Sequence, residues 1–535
     1  MAQAFTGTIY ISNGKIRSLE PGPVGVVISA EQGDEHYERY FPTATAFSGF
    51  VDSHLHVIRY GELLRGLDLS SACSAEECVE LARLHAEQWL PGDWIVGGNW
   101  NHETWHSKSQ GGFSFFRRGH SVSALPTVGV LDSVFPTIPV YLTRADIHAA
   151  WVNSFALRLA GITAATPDPP GGRIMRDTAG NPTGILLDNA MELVHRLIPP
   201  PKEAEVEQQI LSACTKLLQY GITEVHDLEV RMEHIHLYQR LSAENKLPLR
   251  IMGFVQAQNN EWRKKRILPF GDDMFRAIGV KFFADGALGS RGAWLSEPYT
   301  DDSTTSGLCL LSHSELESRV RLALDCGWHI ATHAIGDSAN RNVLDIYEIM
   351  RKEQYTDERT ILRIEHAQIL EQSDALRMRD IHIHAAVQSI HCISDAPMAE
   401  KRLGKRCSIA YPWQRLRSLG IMMSGGSDAP VESPDPRIGI HAFCERIPFA
   451  EQHKMFKRSW YPDERISREE ALLAYTQHAH HGSGMADRRG VLRVGADADI
   501  SLFDRNLELC SGADILTAEC LATIVGGRFA YQKTH

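Results

Sequence analysis

His54 and His56 stand two residues apart just after an apolar run, FSGFV, with Asp52 between the run and the pair. Residues i and i+2 on a β-strand face the same side, so both imidazoles could grip one metal ion. The pair alone is weak evidence. With 25 histidines in 535 residues, chance gives about one such spacing, and His234/His236, His382/His384 and His478/His480 share it. A second candidate is Lys281, set in the apolar run IGVKFFAD. An ammonium there loses solvation, which draws its pKa down. The neutral amine could take up carbon dioxide as a carbamate able to bridge two cations; the alternative is a lysine that reaches solvent or pairs with Asp285. His333, His366 and Asp428 end the runs WHIATH, LRIEH and IMMSGGSD. Each alone reads equally as a core histidine or a capping aspartate. Together they are five metal-ligand side chains and one lysine, each at a strand or its end.

Eight short apolar runs can hold these residues: 49–57, 222–227, 249–255, 278–285, 328–334, 362–367, 382–389 and 421–429. Amphipathic stretches such as LESRVRLALDC and ANRNVLDIYEIMRK separate several of them, as in βα units around a parallel sheet. The expectation is a (β/α)₈ barrel over 49–488, with its chemistry at the C-terminal ends of the strands. Residues 58–221 are far too long for a βα connection and too aromatic for a disordered linker. They are expected to form an inserted subdomain, a candidate substrate lid after strand one. The β-like segments 1–48 and 489–535 are expected to pair into a small sandwich-like β domain.

The motifs GFVDSHLHV, GVKFFADGALGSRGAW, ATHAIGDSAN, RIEHAQ and SGGSDAPV resemble the metal-dependent amidohydrolase superfamily, in its amidohydrolase-3 branch that includes N-substituted formamide deformylase. LTRADIHAAWVNS and PTGILLD in the insertion extend the likeness over nearly the whole chain. The resemblance implies a divalent metal centre, zinc in the first instance, with one ion or two. His54, His56 and Asp428 would bind one ion, His333 and His366 the other, with a carbamate on Lys281 bridging them. Asp428 would pass a proton from the attacking water to a leaving nitrogen.

Substrate contacts are expected from Trp100 and Asn101 in GNWNHETW, from His148 in LTRADIHAAW, and from Arg291 in the loop GALGSR. His226, at the end of strand two, and His391, in SIHC beyond strand seven, are further candidates. A tryptophan core for the insertion, a plain tight turn at the glycines and a surface histidine at 391 are the structural alternatives. The implied reaction is hydrolysis of an amide-type C–N bond, with ester or lactone hydrolysis as an alternative. Ring deamination fits less well: many deaminases of the superfamily carry a Glu three residues after the strand-five histidine, where this chain has Gly336. A metal-binding pseudoenzyme is the remaining possibility, and no ligand is missing to support it.

Composition narrows the partners. A formal charge of -11 gives no electrostatic footprint for nucleic acid or an anionic membrane surface. No run reaches the ~18 apolar residues of a spanning helix. Ten cysteines without C-x-x-C spacing suit reduced thiols. A cytoplasmic enzyme acting on a small molecule is expected, as a homodimer like many of the proteins it resembles.

Overall fold

The computed structural model describes residues 4–32, 35–86, 94–102, 105, 125–144, 149–169, 172–257, 260–263, 270–357, 359–447 and 458–534. Two compact units divide the chain, Met1–Gly61 with Glu207–His535, and Glu62–Val206.

The larger unit contains eight parallel strands: β1 (Phe50–Leu55), β2 (Ile222–Val230), β3 (Arg250–Gln256), β4 (Phe275–Phe283), β5 (His329–Ala334), β6 (Leu362–His366), β7 (His384–Gln388) and β8 (Met423–Gly426). Each pairs in parallel with the next in sequence. The ring closes between β8 and β1, where Ser53 Oγ donates to the Gly425 carbonyl at 2.9 Å. Past the strand ends, Asp428 N donates to His54 O at 2.6 Å and His56 N to Ala429 O at 2.9 Å. This is a TIM-type barrel. All eight expected runs form strands, with ends shifted by a few residues, as is usual at strand ends.

Helices follow local signals. Ser312 caps His313–Asp325 by accepting from Glu315 N, the pairing that S-x-x-E announces. In Asp337–Lys352, Asn340, Val343, Leu344, Tyr347 and Met350 are all buried, a stripe every three or four residues that packs on the barrel.

The termini share a sheet. Thr45–Ser48 pairs antiparallel with Ile500–Phe503, which pairs with Cys520–Val525. A four-stranded sheet from residues 7–41 contributes Ile9, Val26 and Ile28 to a core with Ala46, Ile500 and Ile524. These sheets belong to the same compact unit as the barrel. Arg250, which opens β3, ties them in by pairing with Asp499 at 2.8 Å.

The inserted unit, Glu62–Val206, is shorter than the expected 58–221. It contains a six-stranded sheet ordered Gly172–Arg176, Pro182–Asp188, Ala149–Val152, Val140–Arg144, Ile95–Trp100, Leu67–Asp68. Alternate residues face two cores: Leu142 and Trp151 enter one, Tyr141 and Ala150 the other, as a period of two requires. Among the described residues no helix is long and apolar enough to cross a membrane.

Candidate metal centre

β1 delivers His54 and His56, and a loop beyond β8 delivers Asp428. Asp52 fastens those two elements together: its carboxylate accepts from His54 N at 3.1 Å, from Ser427 N at 3.1 Å and from Ser427 Oγ at 2.5 Å. Asp428 lies in the left-handed region, φ 60°, which aspartate tolerates better than most residues. Its Oδ1 is 2.8 Å from His56 Nε2 and 3.5 Å from His54 Nε2. Ligand atoms on one zinc ion, each at ~2.0–2.2 Å, lie roughly 3.4 Å apart in a tetrahedron and never beyond ~4.2 Å. Both distances from Asp428 Oδ1 lie inside that limit, and ligand atoms of all three side chains lie within 4.8 Å of one another.

The far nitrogen of each imidazole has a carboxylate beside it. His54 Nδ1 is 2.6 Å from Glu365 Oε2, and His56 Nδ1 is 3.1 Å from Glu229 Oε2. Glu365 is held by Arg363, whose Nε and Nη2 donate to it at 2.8 and 3.1 Å. Glu229 is held by Arg59 at 2.6 Å and Gln256 at 2.7 Å. Such outer carboxylates fix the ring and raise the basicity of the nitrogen left for a metal.

β6 supplies consecutive residues, Glu365 and His366, whose side chains would ordinarily point to opposite faces. A left-handed φ of 72° at His366 breaks the alternation and brings both toward His54, with the His54 and His366 rings 5.1 Å apart. That conformation costs a non-glycine residue on the order of 1–3 kcal/mol and gathers at functional sites. His333, from β5, meets His366 edge-on at 4.3 Å, and its Nε2 is 3.4 Å from Asp285 Oδ1. Asp285 also accepts from the backbone N–H groups of Trp294, Ile335 and Gly336.

Lys281, on β4, is buried, and burial draws its amine down to about 8, against the pull of Glu365 and Asp428. Burial and then the Lys281 ammonium lower His54 to about 4 and His333 to about 3, so both imidazoles are neutral with a lone pair to give. Burial acts against the charge on His56, but Asp428 and Glu229 outweigh it and raise the imidazole to about 9. Burial likewise opposes ionisation of Asp428, and its neighbouring imidazoles hold it well below the carboxylate range. Between its two carboxylates, a proton on His56 occupies ground suited to a cation. Two unused nitrogens strengthen the fit: His366 Nδ1 and His391 Nε2 are buried and make no hydrogen bond.

A family model described as Amidohydrolase family matches residues 44–531. The chain belongs to that family. It is 32% identical over 539 residues to YtcJ of Bacillus subtilis (strain 168), covering 99% of this chain and 96% of that protein. It is 28% identical over 506 residues to the N-substituted formamide deformylase of Arthrobacter pascens, covering 92% and 89%. Its fold is similar to that of a metal-dependent hydrolase from Pyrococcus furiosus, with a TM-score of 0.73 and 24% identity over 94% of this chain and 99% of that one. As a member of the amidohydrolase family, in its amidohydrolase-3 branch, this chain is a hydrolase of the metal-dependent class.

The remaining candidates of this amidohydrolase divide. His391, in the first turn of Ser389–Leu403, comes to 3.9 Å from Asp428 Oδ2; it is a site residue and not a surface one. His226 is a correction. It lies wholly enclosed below the mouth, with Nδ1 accepting from Arg363 at 2.9 Å and Nε2 3.5 Å from Glu224, because it sits on β2 four residues before the strand ends at Val230. Trp100 is a second correction. It is fully enclosed in the core of the inserted unit, where Nε1 donates to Leu142 O at 2.9 Å and the ring packs on Trp105 and Trp151. Asn101 follows it, half-buried. Arg291 pairs with Asp301 at 3.0 Å within its own loop, and His148 lies outside the described residues. Glu229, Arg363 and Glu365 are site residues that the sequence reading did not single out. Glu365 alone left a trace, as the acidic residue inside RIEH.

Proposed function

We propose that this amidohydrolase cleaves the C–N bond of an amide-type small molecule, an N-substituted formamide or a related amide or imide, with a divalent metal at the barrel mouth. One observation carries the reading: His54, His56 and Asp428, far apart in sequence, place three ligand atoms within reach of one ion, with Lys281, His333 and His366 gathered beside them. The set of imidazole and carboxylate donors suits zinc. A zinc ion bound there would lower the pKa of a water from 15.7 to about 7.

The chain's own groups do the rest. Asp428, ionised at neutral pH, accepts the proton of the attacking water and returns it to the leaving nitrogen. Glu365 and Glu229 keep His54 and His56 oriented through each turnover. Lys281, with its amine drawn to about 8, is nucleophilic enough near neutral pH to add carbon dioxide; an N–C bond forms, one proton leaves to solvent, and the carbamate supplies two oxygens. The similarity to the formamide deformylase of Arthrobacter pascens supports the amide class. Ring deamination has less support. Gly336 N donates to Asp285, and a Cβ at this glycine would lie 1.9 Å from the Trp294 carbonyl, so no carboxylate side chain can be accommodated at that position.

A kinetic series tests the proposal: N-aryl and N-alkyl formamides against matched esters and lactones, with purified protein before and after chelation. Formamide hydrolysis that chelation abolishes and zinc restores is expected. Faster metal-dependent turnover of the esters or lactones would replace the amide assignment.

A further inference from the structure

The two ring nitrogens of His226, fully buried on β2, have different neighbours. Nδ1 is 2.9 Å from Arg363 Nη1, and Nε2 faces Glu224 Oε1 at 3.5 Å. A guanidinium can only donate, so Nδ1 must carry a lone pair. A carboxylate oxygen repels a lone pair at Nε2, so the proton belongs there. Burial, aided by Arg363 and opposed by Glu224, lowers the imidazole to about 4. The ring is therefore neutral at neutral pH, and a single tautomer satisfies both neighbours. Glu224 is held in turn from the other side. Its Oε2 accepts from Arg489 Nη1 at 2.8 Å, its Oε1 accepts from Ser483 Oγ at 3.3 Å, and His480 Nδ1 lies 3.3 Å from Oε1. Arg489 Nε and Lys15 Nζ both donate to Asp497, at 2.9 Å each. In the opposite direction the row runs from Arg363 to Glu365 at 2.8 Å, and from Glu365 to His54 Nδ1 at 2.6 Å.

We infer that His226 is a positioning residue for His54: its Nδ1 accepts from Arg363, which keeps the guanidinium on Glu365, and Glu365 orients the His54 imidazole. The inference rests on the metal-dependent hydrolase reading and goes beyond it, because it gives a task to a residue that touches neither metal nor substrate. Without His226 Nδ1, one buried N–H of Arg363 has no acceptor, which a charged group tolerates poorly. The other N–H on Nη1 is already given to Gly482 O at 3.1 Å. The guanidinium would then have to turn toward a new partner and loosen its two bonds to Glu365. Arg489, Asp497 and Lys15 lie outside the eight barrel strands, so the segments that flank the barrel share in holding His54.

Cobalt(II) bound to metal-depleted full-length protein reports the geometry at His54 through its visible d–d absorption, and calorimetry gives its affinity. His226→Leu keeps an apolar volume and removes the acceptor. His226→Asn is smaller, but its amide oxygen can stand near the place of Nδ1. The leucine variant is expected to shift the d–d band and to weaken cobalt binding about tenfold, and the asparagine variant to return most of both. A packing role predicts the reverse order, because leucine fills space that asparagine leaves empty. Arg363→Met should show the change seen in His226→Leu, and the double variant His226→Leu/Arg363→Met no more than Arg363→Met alone. Far-UV circular dichroism checks folding. Should His226→Leu alone fail to fold, His226→Met is read in its place, and the comparison of Arg363→Met with the double variant stands. An unmoved spectrum and affinity in His226→Leu, a larger defect in His226→Asn than in His226→Leu, or a further change in the double variant overturns the inference. A parent chain that binds no cobalt overturns the hydrolase reading beneath it and the inference with it, and is thereby distinguished from failure at His226 alone.

Discussion

Replacing Arg363 with methionine keeps a long stem and removes a guanidinium that is fully enclosed. All five of its N–H groups have acceptors: Nε and Nη2 reach Glu365 at 2.8 and 3.1 Å, Nη2 also reaches Ser53 O at 2.8 Å, and Nη1 reaches His226 Nδ1 at 2.9 Å and Gly482 O at 3.1 Å. The substitution leaves Glu365 charged and buried, with one arm on His54 and only the Coulombic pull of Lys281 and His54 in place of the guanidinium. Breaking a buried ion pair from one side costs ~3–5 kcal/mol. Two hydrogen bonds to a charged group, at ~1.5–3 kcal/mol each, account for a loss of that size. The double variant Arg363→Met/Glu365→Leu removes the stranded charge, so its cost should fall below the sum of the single substitutions by about 2–3 kcal/mol. Urea unfolding of the four proteins, followed by far-UV circular dichroism, gives the cycle. A parent-like midpoint for Arg363→Met, or strict additivity in the double variant, would refute the claim that Arg363 holds Glu365 and, through it, His54.

Three further outcomes follow from the same geometry. Gly426→Ala would set a Cβ 2.7 Å from both His54 N and His54 Cβ, forcing β8 off β1; a stability loss of ~1–3 kcal/mol with loss of metal binding is expected, measured by thermal unfolding and metal analysis. Lys281→Ala should lower kcat/KM by more than the ~10–100-fold that removal of an outer partner costs, with partial rescue by short carboxylic acids; near-normal turnover would remove the lysine from the mechanism. Asp497, held by Lys15 and Arg489 at 2.9 Å each, is lowered to about 2 because these partners outweigh the opposing effect of burial. A depressed native pKa gives stability that is complete above the ordinary carboxylate value near 4 and is lost as pH falls through 2, amounting to about 2 kcal/mol. The stability gap between the parent and Asp497→Asn should therefore be full at pH 7 and about half as large at pH 3; a gap independent of pH would contradict it.

The barrel was legible because eight apolar runs carry a period and spacing that only a parallel sheet satisfies, and because His54, His56, Lys281 and Asp428 are costly residues in or beside such runs. What escaped was depth. β2 continues to Val230, three residues past the expected end, and Glu229 lies in that extension. Arg363 and Glu365 alternate with Leu362 and Ile364, a pattern that reads as one wet face and one dry face. In this barrel that polar face turns inward, so the layer Glu224, His226, Arg363, Glu365 is buried and paired beneath the metal ligands. His226 was placed at the mouth for the same reason: strand type can be read from sequence, but the height of a residue in the barrel depends on shear between neighbours. The tryptophans of the insertion pointed equally to a core and to a pocket, and Trp100 was resolved only by its packing. His391 depends on a helix start that carries no capping side chain, which left its direction open.

Anomalous diffraction at the zinc edge, from crystals of the zinc-loaded protein, tests the centre most directly. The account predicts a peak within ~2.2 Å of His54 Nε2, His56 Nε2 and Asp428 Oδ1. Full zinc occupancy elsewhere on the chain, with none among those three atoms, would contradict it.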